Sequence, residues 1–125
     1  FISIEGTSKK TLENVFEKFF NCYSIFNYSE PEPMLNIIGF YENETWRIII
    51  FLRAKHRPSH FFAEGDKQII LSPASVDVGG VCITPLEKDF EKITQDHLRE
   101  IFWEIFLTKE ESNLFAKKLV SALQS

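Results

Sequence analysis

The feature that most constrains the fold of this chain is a pair of β-rich runs joined by a short polar turn. The runs cover residues 34–41 and 45–53, and Glu42-Asn43-Glu44 separates them. Aromatic and β-branched residues dominate both runs, and two such runs on either side of a short polar segment are typical of a β-hairpin. The sequence therefore predicts an antiparallel pair of strands. This pair is expected to be the start of a β-meander.

The second run predicts a strand in the interior of a larger sheet. Because side chains alternate along a strand, Trp46, Ile48, Ile50 and Leu52 share one face, and Arg47, Ile49, Phe51 and Arg53 share the other. Both faces carry apolar groups, which indicates cover on both sides, in part by the first helix. Residues 1–5, 68–72 and 78–84 are interpreted as further strands, so a mostly antiparallel sheet of about five strands is expected.

Several segments carry the apolar spacing or the capping residues of helices. They are residues 11–28 with Ser8 or Thr11 as cap, residues 86–93, a stretch that begins at Thr94, and a last helix from the capping box Thr108-Lys109-Glu110-Glu111 to about residue 123. Pro31-Glu32-Pro33 imposes an extended linker after the first helix. The predicted class is α+β, with helices packed on an antiparallel sheet.

Size and charge narrow the function classes. The chain has 125 residues and 44% hydrophobic content, which predicts a single domain over residues 1–125. A net charge of -4 argues against a nucleic-acid binder, which needs an extended basic surface. The longest apolar run, residues 48–52, is far too short to span a membrane. Cys22 and Cys82 show no CxxC spacing and are predicted to be reduced core residues of a cytoplasmic protein.

The strongest candidate site is the basic run from Arg53 to His60. Arg53, Lys55 and Arg57 lie within five positions of one another in an otherwise acidic chain. Arginine forks suit phosphate oxygens, so the run predicts a phosphate-binding site. The alternative is a solvated strand end and loop. A metal pair of His56 and His60 is disfavoured, because Pro58 between them opposes a helix.

Gly79 and Gly80 form a second candidate element. Without side chains, they permit close approach of a ligand phosphate or of another backbone, so they are grouped with the phosphate-binding residues, while a bulge or a packing contact is the alternative. Asp77 beside them either orients a ribose hydroxyl or caps a turn. No catalytic residue, metal or cofactor is predicted from the pattern.

The order of these residues resembles a known family. The run NIIGFYENETWRIIIFLRAKH followed by SVDVGGVCIT is similar to the second half of the galactose-1-phosphate uridylyltransferase and diadenosine tetraphosphate phosphorylase group, in the histidine-triad superfamily. The segments HRPSHFFAEGDK and LSPASVDVGGVCITPLEKDFEKIT resemble proteins of Bacteroides-type bacteria. The resemblance covers roughly residues 35–93.

The resemblance implies a histidine-triad-like fold and nucleotidyl transfer through a histidine on a strand of alternating histidines. This chain has only His56, His60 and His97, which do not alternate on a strand. The expectation is therefore the C-terminal domain of a nucleotidyltransferase or phosphorylase whose N-terminal half supplies the nucleophile. The ligand would be a nucleotide or a sugar-phosphate. A non-catalytic structural or dimerisation module is the alternative.

Overall fold

A computed structural model of the chain describes residues 1–27 and 32–125. It contains strands β1 (Ile2–Gly6), β2 (Leu35–Glu42) and β3 (Thr45–Leu52), and helices α1 (Lys9–Phe26), α2 (Ser59–Phe62), α3 (Ser75–Val78), α4 (Glu87–Lys92), α5 (Gln95–Ile105) and α6 (Lys109–Gln124). The chain forms two compact units, one of Phe1–Leu52 with Thr108–Ser125 and the other of Arg53–Leu107. No helix in the described part of the chain is long and apolar enough to cross a membrane.

The first unit contains a three-stranded antiparallel sheet in the order β1-β3-β2. The predicted hairpin is confirmed, and Glu42 pairs with Thr45 across a turn of two residues. Those residues, Asn43 and Glu44, have φ values of 49° and 59°, as the tightest hairpin turns require. The central place of β3 agrees with its apolar side chains on both faces.

Helices α1 and α6 supply the aromatic core of this unit. Ser8 caps α1 as one of the two predicted caps, and Thr108 with Glu111 forms the predicted capping box of α6. The ring of Phe115 lies 5.4 Å from that of Phe19 and 5.2 Å from that of Tyr23, and all three side chains are fully buried. Edge-on aromatic contacts of this kind add specific geometry to the burial of apolar area. The predicted helix end at Tyr28 and the linker residue Pro31 lie outside the described residues.

The second unit is built from short helices around a small apolar core. Ile69, Leu71 and Ile101 are buried together, and Ile93 and Leu98 pack against them. The short helix predicted over residues 86–93 is confirmed as α4, and Thr94 caps α5 as predicted.

The prediction of about five strands is wrong, because residues 68–72 form no strand. Ile69 and Leu71 alternate into the core as strand residues would. Their backbone groups, however, bond locally and to side chains: the Ile70 N–H donates to Asp89 Oδ2 at 2.8 Å, and the Ile69 N–H donates to the His60 carbonyl at 3.0 Å. Once these donors are satisfied, the segment has no need of a neighbouring strand.

The strand predicted over residues 78–84 is also wrong, because the chain folds around Asp77 instead. The Asp77 carboxylate accepts hydrogen bonds from the Ala74 N–H at 2.8 Å and the Ile83 N–H at 3.2 Å. Asp77 therefore caps a turn, the second of its two interpretations. Gly80 has a φ of 108°, which ends α3 in a conformation that a strand does not contain. Cys82 in this segment is exposed, so its predicted place in the core is wrong as well.

Candidate functional site

The residues from Arg53 to His60, here called the basic loop, are fastened to the C-terminal end of α5. Arg53 forms an isolated antiparallel bridge with Phe106. The N–H groups of Ala54 and Lys55 donate to the Ile105 carbonyl at 2.7 and 3.3 Å. This anchoring fixes the point from which the cationic side chains of the loop extend.

Arg53 is buried and holds the loop together. Its guanidinium donates to the carbonyls of Lys55 at 3.1 Å and His56 at 2.6 Å, and to that of Pro73. Burial lowers the pKa of Arg53, and the negative charge of Asp77 opposes that shift. Only 5% of the residue is exposed. Its planar guanidinium therefore binds main-chain carbonyls of this unit and is largely removed from solvent.

Lys55 is paired with a carboxylate that lies far away in sequence. Its ammonium contacts Glu104 Oε1 at 2.8 Å, and the same carboxylate accepts hydrogen bonds from the Ser59 N–H at 2.9 Å and the Ser59 hydroxyl at 2.8 Å. The hydrogen bond from Lys55 lowers the pKa of Glu104 to about 2, the donors of Ser59 act in the same direction, and burial opposes them. Glu104 is therefore ionised at neutral pH.

Arg57 is exposed, and it differs from Arg53 and Lys55 because its guanidinium lies over an aromatic ring. The carbon at the centre of its guanidinium is 4.3 Å from the ring centroid of Phe61. Among the residues that the structure describes, Arg57 forms no ion pair with a carboxylate within 4.0 Å. Stacking on Phe61 restricts the side chain and leaves its N–H groups available to a ligand.

An open depression of about 710 Å³ lies beside the basic loop. Its lining consists of Arg53, Lys55, His56, Arg57, Phe62, Ser72, Pro73 and Ala74. The structure thus brings together the three basic residues of the predicted phosphate site. Gly79 and Gly80 do not line this depression, since they follow α3 around Asp77.

A second depression, of about 390 Å³, is lined by His60 at the end of the basic loop and by His97 of α5. The rings of His60 and His97 are 5.9 Å apart, and His60 Nε2 lies 3.4 Å from Glu100 Oε2. Within the described ranges, no group of three or more histidine, cysteine or carboxylate side chains is arranged to hold a metal ion. His56 lies apart from this pair and lines the first depression.

Sequence reasoning missed Glu104, the residue that organises the basic loop most directly. Glu104 lies 49 positions from Lys55 in the sequence, on a helix that is recognised from its cap and its apolar residues. No local signal marks it, because its partners come from another segment of the chain.

Comparison with known proteins places the chain in a family. Residues 4–125 match the family model described as "GDPGP1-like, C-terminal domain", whereas no curated protein and no solved structure gives a significant match. The match agrees with the predicted C-terminal domain of a phosphorylase-like protein, and it spans both compact units. The chain belongs to the GDPGP1-like C-terminal domain family.

Proposed function

We propose that this chain is the C-terminal domain of a nucleotidyltransferase or phosphorylase and that it binds phosphate groups of a nucleotide or sugar-phosphate substrate. The family carries the name of a GDP-D-glucose phosphorylase of the histidine-triad-like superfamily, which makes a nucleotide sugar the ligand class to test first. Residues 1–125 act as one domain with a histidine-triad-like fold, and the protein is cytoplasmic. The likenesses to galactose-1-phosphate uridylyltransferase and to Bacteroides-type proteins belong to the same proposal.

The observation that carries this proposal is the cationic depression beside the basic loop. Its volume of about 710 Å³ suits a small-molecule ligand, and Arg57 offers it a fork of N–H groups that no carboxylate within the described residues occupies. Arg53 stabilises the site by donating hydrogen bonds to the main-chain carbonyls of three residues that line the depression. Lys55 brings an ammonium group to the same depression. Gly79 and Gly80 have no part in this version of the site.

The chain contributes no nucleophile in this proposal. All three histidines lie within the described residues, and none lies on a strand: His56 is in the basic loop, His60 in α2 and His97 in α5. Nucleotidyl transfer through histidine needs an activated and accessible ring on the substrate side. The N-terminal half of the same polypeptide is the proposed partner that supplies it, so the isolated chain should turn over neither nucleotide sugars nor dinucleotides.

Titration with inorganic phosphate and with GDP, followed by amide NMR, tests the binding site. We expect shifts confined to the basic loop at millimolar ligand, and affinity that falls as salt rises. Arg57→Ala should abolish these shifts, whereas Arg99→Ala should leave them unchanged. Arg99 is a matched control because it is an exposed arginine of the same unit, paired with Asp96 at 3.2 Å. Absence of shifts in the unaltered chain would refute phosphate binding here.

A structural or dimerisation module is the second candidate, and exposed aromatic residues of the sheet favour it. Phe1 is 77% exposed and lies 5.9 Å from the ring of Phe51, and Phe40 on the same face is 38% exposed. Aromatic side chains left open on a sheet are characteristic of surfaces that another protein covers. Sedimentation analysis of the chain would favour this candidate if a dimer forms and Phe40→Ser disperses it.

A further inference from the structure

The carboxylate of Glu104 occupies a set of donors of the kind that binds phosphate. Oε1 receives the ammonium of Lys55 at 2.8 Å, and Oε2 receives both the main-chain N–H of Ser59 at 2.9 Å and its hydroxyl at 2.8 Å. Phosphoryl oxygens commonly accept hydrogen bonds from ammonium groups, main-chain N–H groups and hydroxyls. One internal carboxylate therefore satisfies three donors that an anionic ligand could use.

The main chain that carries these donors is also anchored by groups other than Glu104. The main chain at Lys55 is fixed by the Ile105 carbonyl, and Pro58 restricts the backbone directly before Ser59. Glu104 itself lies on α5 and keeps 23% of its side chain exposed, so it can leave the donors without unfolding the helix. Its pKa of about 2 shows that the carboxylate stays charged while it occupies them.

Lys55 belongs to this set of donors and also lines the depression proposed to bind phosphate. The same ammonium is therefore bound to the carboxylate of Glu104 and also lies beside the space that a phosphate would enter. We propose that Glu104 is an internal competitor for the phosphate site, which holds Lys55 and Ser59 in the free chain and yields Lys55 to a phosphoryl group. This inference rests on the proposed function, because it assumes that phosphate enters the depression beside Arg57.

The consequence is that the unaltered chain binds phosphate more weakly than it would if Glu104 did not occupy Lys55. A ligand must displace Glu104 before it gains the ammonium of Lys55, and the negative charge of Glu104 opposes its approach until then. Removal of that charge should therefore strengthen binding, although it removes a hydrogen-bonded group from the site. This direction is opposite to the one expected if Glu104 only held the loop in its binding conformation.

The experiment compares inorganic phosphate binding by the 125-residue chain and its Glu104→Gln variant at low salt, with amide NMR as the measurement. We expect affinity to rise about threefold or more in Glu104→Gln, since one opposing charge at contact distance is lost. The gain should disappear in the Glu104→Gln, Lys55→Ala double variant. Glu100→Gln is the matched control, because it removes the same charge from the same helix at a residue that contacts His60 instead.

A measurement on the unaltered chain protects the test against a variant that fails to fold. Saturation with phosphate should raise the pKa of the Glu104 carboxyl, because the carboxyl then loses the hydrogen bond from Lys55. Carbon NMR of the carboxyl group during a pH titration measures this pKa. It should also shift the Ser59 amide. An unchanged Glu104 titration in a chain that binds phosphate would overturn the competition.

The remaining outcomes separate this inference from the proposed function. Phosphate binding by the unaltered chain, with equal or weaker binding by Glu104→Gln, overturns the competitor and leaves the phosphate site standing. Binding by Glu104→Gln alone supports the competitor and refutes a phosphate site in the native chain. Binding by neither protein overturns both.

Discussion

Replacement of Arg53 by alanine should destabilise the second unit far more than replacement of Arg57, four positions away. Arg53 is 5% exposed and its guanidinium donates to three carbonyls, whereas Arg57 is exposed and its guanidinium lies over the ring of Phe61. A buried acceptor that loses its partner costs about 1–3 kcal/mol, and each partly exposed bond contributes about 0.5–1.5 kcal/mol. The Pro73 carbonyl falls in the first class and the other two in the second.

The sum predicts a loss of about 2–6 kcal/mol in the free energy of unfolding for Arg53→Ala, against less than about 1 kcal/mol for Arg57→Ala. Arg53→Lys should fall between them, because an ammonium keeps the charge but cannot reach three carbonyls with fixed fork geometry. Urea denaturation followed by the amide NMR signals of Arg53–Leu107 measures this unit separately from the other. A loss below about 1 kcal/mol in Arg53→Ala would refute the structural role of the arginine and return it to the ligand site.

Three further predictions concern single side chains. Glu104 has a folded pKa of about 2 against an ordinary value of 4.5, so its contribution, on the order of 1–2 kcal/mol after screening by solvent, should be present above pH 4.5 and lost as the pH falls toward 2. Urea titrations across that range should show this loss, and an equally steep loss in Glu104→Gln would contradict it. Glu44→Gly should raise stability by about 0.5 kcal/mol, since glycine adopts positive φ without strain, and a lower melting temperature would disprove the turn assignment. Phe115→Ala should cost about 3–5 kcal/mol in chemical denaturation, because the ring is fully buried among aromatic neighbours, and a cost below about 1 kcal/mol would place it at the surface.

The correctly predicted elements are those whose causes lie within a few residues. The hairpin follows from two β-rich runs and a turn that joins them, and Thr94 and Thr108 cap their helices through N–H groups three residues away. These interactions form in the same way whatever surrounds them, so a local pattern suffices to recognise them.

The two wrong strands show where local pattern is not enough. Residues 68–72 alternate into a core as a strand would, but a strand also needs a partner for its backbone, and Asp89 provides one of those bonds instead. Asp77 likewise replaces a strand partner for the segment after it, because its carboxylate accepts hydrogen bonds from the N–H groups of residues on both sides. Burial of Ile69 and Leu71 was predictable from the pattern, whereas Val81 and Ile83 are exposed against the pattern. In both segments the backbone partners were decided by a carboxylate that the pattern does not reveal.

The basic loop divides in the same way between sequence and tertiary structure. The sequence by itself determined that Arg53, Lys55 and Arg57 would lie close together and create a local excess of positive charge. Only the tertiary structure decided what each cation does: Arg53 is buried against carbonyls, Lys55 meets Glu104 from 49 positions away, and Arg57 remains open on Phe61. The physical reason is that a long charged side chain binds the nearest partner in space, and chain folding alone sets which partner that is.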